Sequence, residues 1–150
     1  MTRASRRVIG ILAATAWLAG CVPGPQTNAP TEGATVERGL LLLSQRRYPE
    51  ARTNFNKLGP FKTRDARALM GLAIAADMTG DFRTADRAYE QLLVLTPDQP
   101  MLYNNMGYSY MLRGDLDRAL SYLTEAARRD PENPAIRNNL AMLRGVVPLR

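Results

Sequence analysis

Apolar side chains recur at helical spacing between Pro100 and Asn133. The first stripe comprises Tyr103, Met106 and Tyr110, and the second comprises Leu116, Leu120, Leu123 and Ala127. Spacings of three and four predict two amphipathic helices. Gly114 predicts the turn between them, because glycine readily adopts a left-handed backbone conformation. The small residues Gly107 and Ala119 stand where the helices would cross, and a pair this short needs neighbours to bury its apolar faces.

The same pattern recurs every 34 residues along the chain. Three sets of residues spaced 34 apart, here called columns, show the pattern. They are Gly39, Ala73, Gly107 and Ala141; Ala51, Ala85 and Ala119; and Phe55, Tyr89 and Leu123. Small residues permit close helix crossing, and large ones fill the groove between units. The repeat therefore predicts stacked helix pairs, with helices at 34–46, 49–58, 65–79, 82–95, 99–113, 116–129 and 134–144.

These columns resemble the tetratricopeptide repeat (TPR) family. Residues 100–133 carry nearly the whole pattern, 66–99 keep most of it, and 32–65 keep less, since Arg38 stands at a core position. The resemblance implies an all-α TPR solenoid of three helix-turn-helix repeats. A polar capping helix would follow them at 134–145.

The first 21 residues have the pattern of an export signal. Arg3, Arg6 and Arg7 precede an uncharged apolar run of about 12 residues, shorter than the ~20 that a spanning helix needs. The ending Leu18-Ala19-Gly20-Cys21 resembles the lipobox of bacterial lipoproteins. That resemblance implies removal of residues 1–20 and covalent diacylglyceryl and N-acyl lipid on Cys21. An ordinary cleaved signal peptide and an uncleaved anchor are the alternatives.

Four segments follow from these patterns. Residues 1–20 are the predicted signal peptide, 21–33 the lipidated cysteine with a flexible linker rich in Pro, Gly and Thr, 34–145 the TPR domain, and 146–150 a tail. Val22 is not the Asp that retains lipoproteins in the inner membrane. The resemblance therefore favours an outer-membrane lipoprotein facing the periplasm.

Charge and residue content narrow the function classes. The chain has 20 basic and 14 acidic residues, and three of the basic ones lie in the predicted signal, so nucleic acid is not an expected partner. It has no His and one Cys, and we expect no catalytic site, metal or cofactor. Asp81, Asp86, Asp115 and Asp117 lie at predicted helix starts, where carboxylates cap helices. A hydrolase built on an Asp/Glu pair remains an alternative.

In TPR proteins the first helices of successive repeats line a concave groove, which implies a protein-binding surface here. Its predicted residues are Arg67, Met70, Ile74, Asp77, Met101, Asn104, Asn105, Tyr108, Met111, Asn138, Asn139 and Met142. Asn105 and Asn139 share one repeat position and could pair with the main chain of an extended peptide. The methionines could suit varied apolar ligands. The alternatives are amides bonded within the fold and methionines that fill the core.

Two stretches extend the resemblance, NNMGYSYMLRGDLDRAL from Asn104 and PAIRNNLAMLRG from Pro134. They resemble TPR lipoproteins of Tad (Flp) pilus assembly, the TadD type. This implies a membrane-anchored adaptor that binds protein partners and assists pilus or secretion-system assembly, with no small-molecule substrate. The alternative is a TPR lipoprotein scaffold for peptidoglycan-remodelling enzymes.

Overall fold

The computed structural model describes residues 32–146 of the chain, and the side chains of 35–145. This part is all-helical. Its helices are α1 (Glu32–Ser44), α2 (Tyr48–Asn56), α3 (Pro60–Thr63), α4 (Ala66–Met78), α5 (Phe82–Leu95), α6 (Pro100–Leu112), α7 (Leu116–Arg129) and α8 (Pro134–Val146). The predicted all-α fold is confirmed. The predicted signal peptide, Cys21, most of the linker and the last four residues lie outside the described residues.

Three helix pairs stack in series. The pairs α6/α7 and α4/α5 make the most extensive contacts, followed equally by the pair α1/α2 and by α2 against α4. Helix α8 packs against α7 and α6. The first helices also contact one another in order, α1 with α4, α4 with α6, and α6 with α8. One layer of the molecule is therefore built from first helices, as expected of a TPR solenoid with a capping helix.

Carboxylates begin three of the helices. Asp81 accepts a hydrogen bond from the Thr84 amide at 3.2 Å, and Asp115 accepts one from the Arg118 amide at 3.1 Å. Asp65 caps α4 in the same way. The predicted capping by Asp81 and Asp115 is confirmed, because each satisfies an amide that the first turn leaves unpaired. Asp86 does not cap a helix; it lies within α5 and pairs with Arg113.

The repeating columns form the core. Ala51, Ala85 and Ala119 have no exposed surface, and neither do Phe55 and Leu123. The Phe55 ring lies against Gly39 and Gly71, and the absence of a side chain at both positions makes room for the ring. One core expectation is wrong: Leu120 is 40% exposed, and Ala126 is buried on the inner face of α7 instead.

The first repeat departs from the expected boundaries. α1 begins at Glu32, two residues before the predicted start of the domain, and α2 ends at Asn56. The short helix α3 then starts at Pro60 after Gly59, whose φ of 56° is left-handed. Proline at the first helical position is preorganised for a helix, so the Gly-Pro pair ends one helix and begins another. No helix among residues 32–146 combines the length and apolarity needed to span a bilayer.

Candidate functional site

A cavity of about 390 Å³ opens between α4, α6 and α8. Its lining combines apolar, aromatic and amide side chains, namely Ile74, Asp77, Met78, Tyr89, Asn105, Tyr108 and Asn139. Five of these were predicted in the groove from helical periodicity. The structure brings them together because α4, α6 and α8 are consecutive first helices of the stack.

The floor of this cavity is a buried polar cluster around Asp77, which is 6% exposed. The Tyr89 hydroxyl donates to Asp77 Oδ2 at 2.8 Å, and the Ser109 hydroxyl donates to Oδ1 at 2.5 Å. Arg113 lies 3.7 Å from Oδ1. Burial raises the pKa of Asp77, and the bonds from Ser109 and Tyr89 oppose this shift. Asp77 therefore lines the cavity as predicted, and both of its carboxylate oxygens accept hydrogen bonds from within the fold.

A ladder of side-chain hydrogen bonds crosses the groove. Asn139 Nδ2 donates to Asn104 Oδ1 at 2.9 Å, and Asn104 Nδ2 donates to Asn105 Oδ1 at 3.3 Å. Asn105 Nδ2 in turn contacts Met70 Sδ at 3.2 Å. Asn104 is only 3% exposed, so its predicted place on the ligand-facing surface is corrected: its amide joins two neighbours. Asn105 and Asn139 are half-buried and reach the cavity.

A second, smaller cavity of about 250 Å³ lies at the other ends of α4 and α6. Three predicted groove residues, Arg67, Met70 and Met101, line it together with Leu92 and Leu102. Arg67 also forms an exposed ion pair with Glu37 of α1. The contact between Met70 and Asn105 joins a residue of the second cavity to one of the first. The predicted groove is therefore two adjoining depressions.

Besides the buried Asn104, three predicted residues line neither cavity. Met111 packs against the small core formed by Ala119, Leu123 and Leu143. Met142 is 47% exposed on α8, and Asn138 is exposed on the same helix.

Sequence reasoning missed Met78 and Tyr89. Met78 lies one turn beyond Ile74, so the period of α4 contained the signal. Tyr89 stands in a column of core residues, and nothing in the sequence indicates that its hydroxyl reaches Asp77. Within residues 32–146, no three His, Cys, Asp or Glu side chains are grouped so as to hold a metal ion.

The tetratricopeptide repeat family model matches residues 70–134 and 104–143. The two matches together cover residues 70–143, and over this range the chain is similar to that family. No curated protein sequence matches the chain.

Several solved structures share the fold. The first TPR of Spaghetti (RPAP3) bound to the HSP90 peptide SRMEEVD has a TM-score of 0.65 at 17% identity, over 81% of this chain and 97% of that one. The Sgt2 TPR domain from Aspergillus fumigatus has a TM-score of 0.64 at 17% identity, over 85% and 92%. PcrH in complex with the chaperone binding region of PopB has a TM-score of 0.61 at 20% identity, over 77% and 94%.

Proposed function

We propose that this protein is a TPR adaptor that is anchored to a membrane by lipid on Cys21 and binds an extended segment of a partner protein in its groove. The partner is a component of a pilus or secretion system that assembles at the outer membrane. The lipobox-like ending and the TadD-type resemblance support the anchor and the partner class. The groove supports the binding activity.

The cavity between α4, α6 and α8 is the observation that carries this proposal. Ile74, Met78 and Tyr108 give it apolar walls, which suit a buried side chain of the ligand. Asn105 and Asn139 place amides beside those walls, and an amide can both donate to and accept from a peptide main chain. Asn139 uses only its nitrogen in the amide ladder, which leaves its carbonyl oxygen for a ligand.

Structures with the same fold support a peptide ligand. The first TPR of Spaghetti (RPAP3) is bound to an HSP90 peptide, and PcrH is in complex with the chaperone binding region of PopB. Those ligands are segments of other proteins. We extend this mode of binding to the present groove because its lining has the apolar walls and amides that such a segment requires.

Site-specific photo-cross-linking in intact envelopes tests the groove. A benzophenone side chain replaces Tyr108, which lines the cavity and makes no hydrogen bond within the described residues. The control places the same group at Val94, which is 72% exposed on α5. We expect one partner to be captured from position 108 and not from position 94. Equal capture from both positions would contradict the groove as the binding surface.

Mass spectrometry of the cross-linked product then tests the partner class. A pilus or secretion component supports the proposed role. A peptidoglycan-remodelling enzyme would replace that role with the alternative scaffold and leave the groove as the binding surface. The cross-linked peptide should come from a segment that can adopt an extended conformation.

The anchor has a separate test. Cys21→Ser removes the only thiol in the chain, so the protein should no longer incorporate labelled fatty acid and should leave the membrane fraction or stay unprocessed. Cys21→Ser protein that is processed and still fractionates with membranes would contradict the lipid anchor.

A further inference from the structure

Charge is distributed unevenly along the described chain. Residues 35–67 carry eight basic and three acidic side chains, whereas residues 68–145 carry eight basic and ten acidic ones. The first repeat supplies seven of the eight cations in 35–67 and is therefore basic, whereas residues 68–145 are slightly acidic. The net positive charge of the described residues is therefore concentrated in the first repeat.

Most of the excess positive charge is unpaired. Five exposed cations of residues 35–67 form no ion pair among the described residues, namely Arg38, Arg46, Lys57, Lys62 and Arg64. By contrast, five of the eight cations in 68–145 pair with a carboxylate, and Arg87 lies over the Phe61 ring. The only two lysines of the chain, Lys57 and Lys62, both lie in this basic repeat.

Three cations of this repeat line one open groove on the outer side of the α1/α2 pair. Arg38 comes from α1, Arg47 precedes α2 and Lys57 follows it, and the groove encloses about 660 Å³. Glu50 is the only acid in its lining and pairs with Arg47 at 3.2 Å. The lining of this groove therefore carries more positive than negative charge.

We propose that the first repeat docks, through its unpaired cations Arg38, Arg46, Lys57, Lys62 and Arg64, on the anionic headgroups of the membrane that holds the chain. These five cations are called the basic surface. The inference rests on the proposed lipid anchor at Cys21. Ten residues separate Cys21 from α1, a span of at most about 35 Å even when fully extended. A tether this short keeps the surface at high effective concentration near the bilayer, where basic clusters are attracted to anionic lipids.

A second copy of the chain is a poorer occupant. The opposite end of the stack is α8, whose exposed charged side chains are Arg137 and Arg144. Arg137 pairs with Glu132, whereas Arg144 forms no ion pair among the described residues, so stacking that end on the basic surface would bring Arg144 against like charges. A lipid surface, in contrast, offers many anions over an area that matches a dispersed set of cations.

Lysine labelling on vesicles tests the proposal. Full-length protein is purified from membranes in detergent, and its intact mass establishes lipid on Cys21. It is then inserted into preformed vesicles of phosphatidylcholine alone, or of an equimolar mixture with phosphatidylglycerol. The rate at which an uncharged amine reagent modifies Lys57 and Lys62 is followed by mass spectrometry. We expect slower modification on the anionic vesicles, and recovery of the rate at high salt.

Variants assign the effect to the surface. Arg38→Gln with Arg46→Gln keeps both lysine probes and should weaken docking about fivefold for each cation removed, so that labelling on anionic vesicles approaches the rate on neutral ones. Arg83→Gln with Arg144→Gln is the matched control, because both arginines are exposed, unpaired and outside the first repeat. The control pair should behave as the wild type.

The outcomes separate this inference from the proposed function. Protein that carries no lipid and leaves neutral vesicles would overturn the anchor and the inference together. Lipidated protein that stays on both vesicles and labels equally would overturn the docking surface alone. Equal slowing by soluble glycerol phosphate on neutral vesicles would assign the cations to a small anion and also overturn it.

Discussion

Phe55 in the first repeat and Leu123 in the third occupy the same column of the 34-residue pattern. The Phe55 ring faces glycines of two repeats, and a Cβ added at Gly39 would lie 2.5 Å from Phe55 Cζ. Leu123 faces one glycine, Gly107, where an added Cβ would lie 2.6 Å from Leu123 Cγ. Phe55 is the larger side chain and has two glycine neighbours, whereas Leu123 is smaller and has one. Each side chain thus fills the equivalent space in its repeat, as close packing requires.

The two junctions with the second repeat also differ in polarity. Arg52 joins the first repeat to Asp81 at 3.3 Å through partly exposed groups. The third repeat meets the second through Ser109 and Arg113, which contact Asp77 and Asp86 in a largely buried cluster. The first junction therefore depends mainly on apolar packing, and the second on both packing and charge.

Truncation of the shared column should have the largest effect. Phe55→Ala should lower the free energy of unfolding by about 3–5 kcal/mol. Leu123→Ala should cost about 2–5 kcal/mol and less than the first variant, because the two glycines beside Phe55 have no side chains to fill the cavity. Denaturant unfolding of the purified variants measures both. A larger loss for Leu123→Ala would contradict the shared packing of Phe55.

Filling the glycine positions is the converse test. Gly39→Ala and Gly107→Ala should each cost about 1–3 kcal/mol, because the new Cβ overlaps Phe55 or Leu123. Gly145→Ala is the matched control, since nothing lies within 4 Å of its added Cβ. It should raise stability by up to about 1 kcal/mol through better helix propensity. If the melting temperatures of all three variants shift in the same direction, the helices do not cross closely at Gly39 and Gly107.

The second junction should make its own contribution to the pH dependence of stability, through Asp77. Burial raises the pKa of Asp77 in the folded protein, so its contribution to stability is complete below the unfolded value of about 3.9. That contribution is lost as the pH rises through the raised folded pKa. As the pH rises through this window, the wild type should therefore lose stability relative to Asp77→Asn, by at most about 1.4 kcal/mol per pH unit. A constant difference between the two proteins would contradict a raised pKa.

Charge substitutions should give the smallest effects and still separate the junctions. Arg113 is 18% exposed and donates two 2.9 Å hydrogen bonds to Asp86, and Arg113→Lys should cost about 1 kcal/mol because an ammonium cannot make both. Arg52→Gln removes the partly exposed ion pair with Asp81 at the first junction and should cost only about 0.5 kcal/mol. Chemical denaturation measures both losses. Equal losses in the free energy of unfolding would mean that the two junctions do not differ in how much they depend on charged contacts.

The periodic part of the fold could be predicted from the sequence. The columns of Ala51, Ala85 and Ala119, and of Phe55 and Leu123, are buried as their 34-residue spacing predicts. Repetition supplies several independent observations of one environment, so an error at a single position does not disturb the pattern. Asp81 and Asp115 are at helix starts for an equally local reason.

The positions that failed depend on neighbours that periodicity does not specify. Leu120 and Asn104 satisfy a helical spacing, yet Leu120 is exposed and Asn104 is buried. Periodicity gives the direction of a face, but which side chain from the adjoining helix covers it is set by the packing angle. The amide ladder from Asn139 to Met70 crosses three helices, and no single stretch of sequence contains it.

The ring of Phe55 has a consequence for how the array opens. Repeat arrays can fray from either end, one unit at a time. Separation of α1 and α2 from α4 would empty the space beside both Gly39 and Gly71, so these three helices form one cooperative unit. At the other end, α8 is held chiefly by Ile136 and Leu143, and it can detach without disturbing Phe55. We therefore expect fraying to start at α8 rather than at the end that follows the predicted tether.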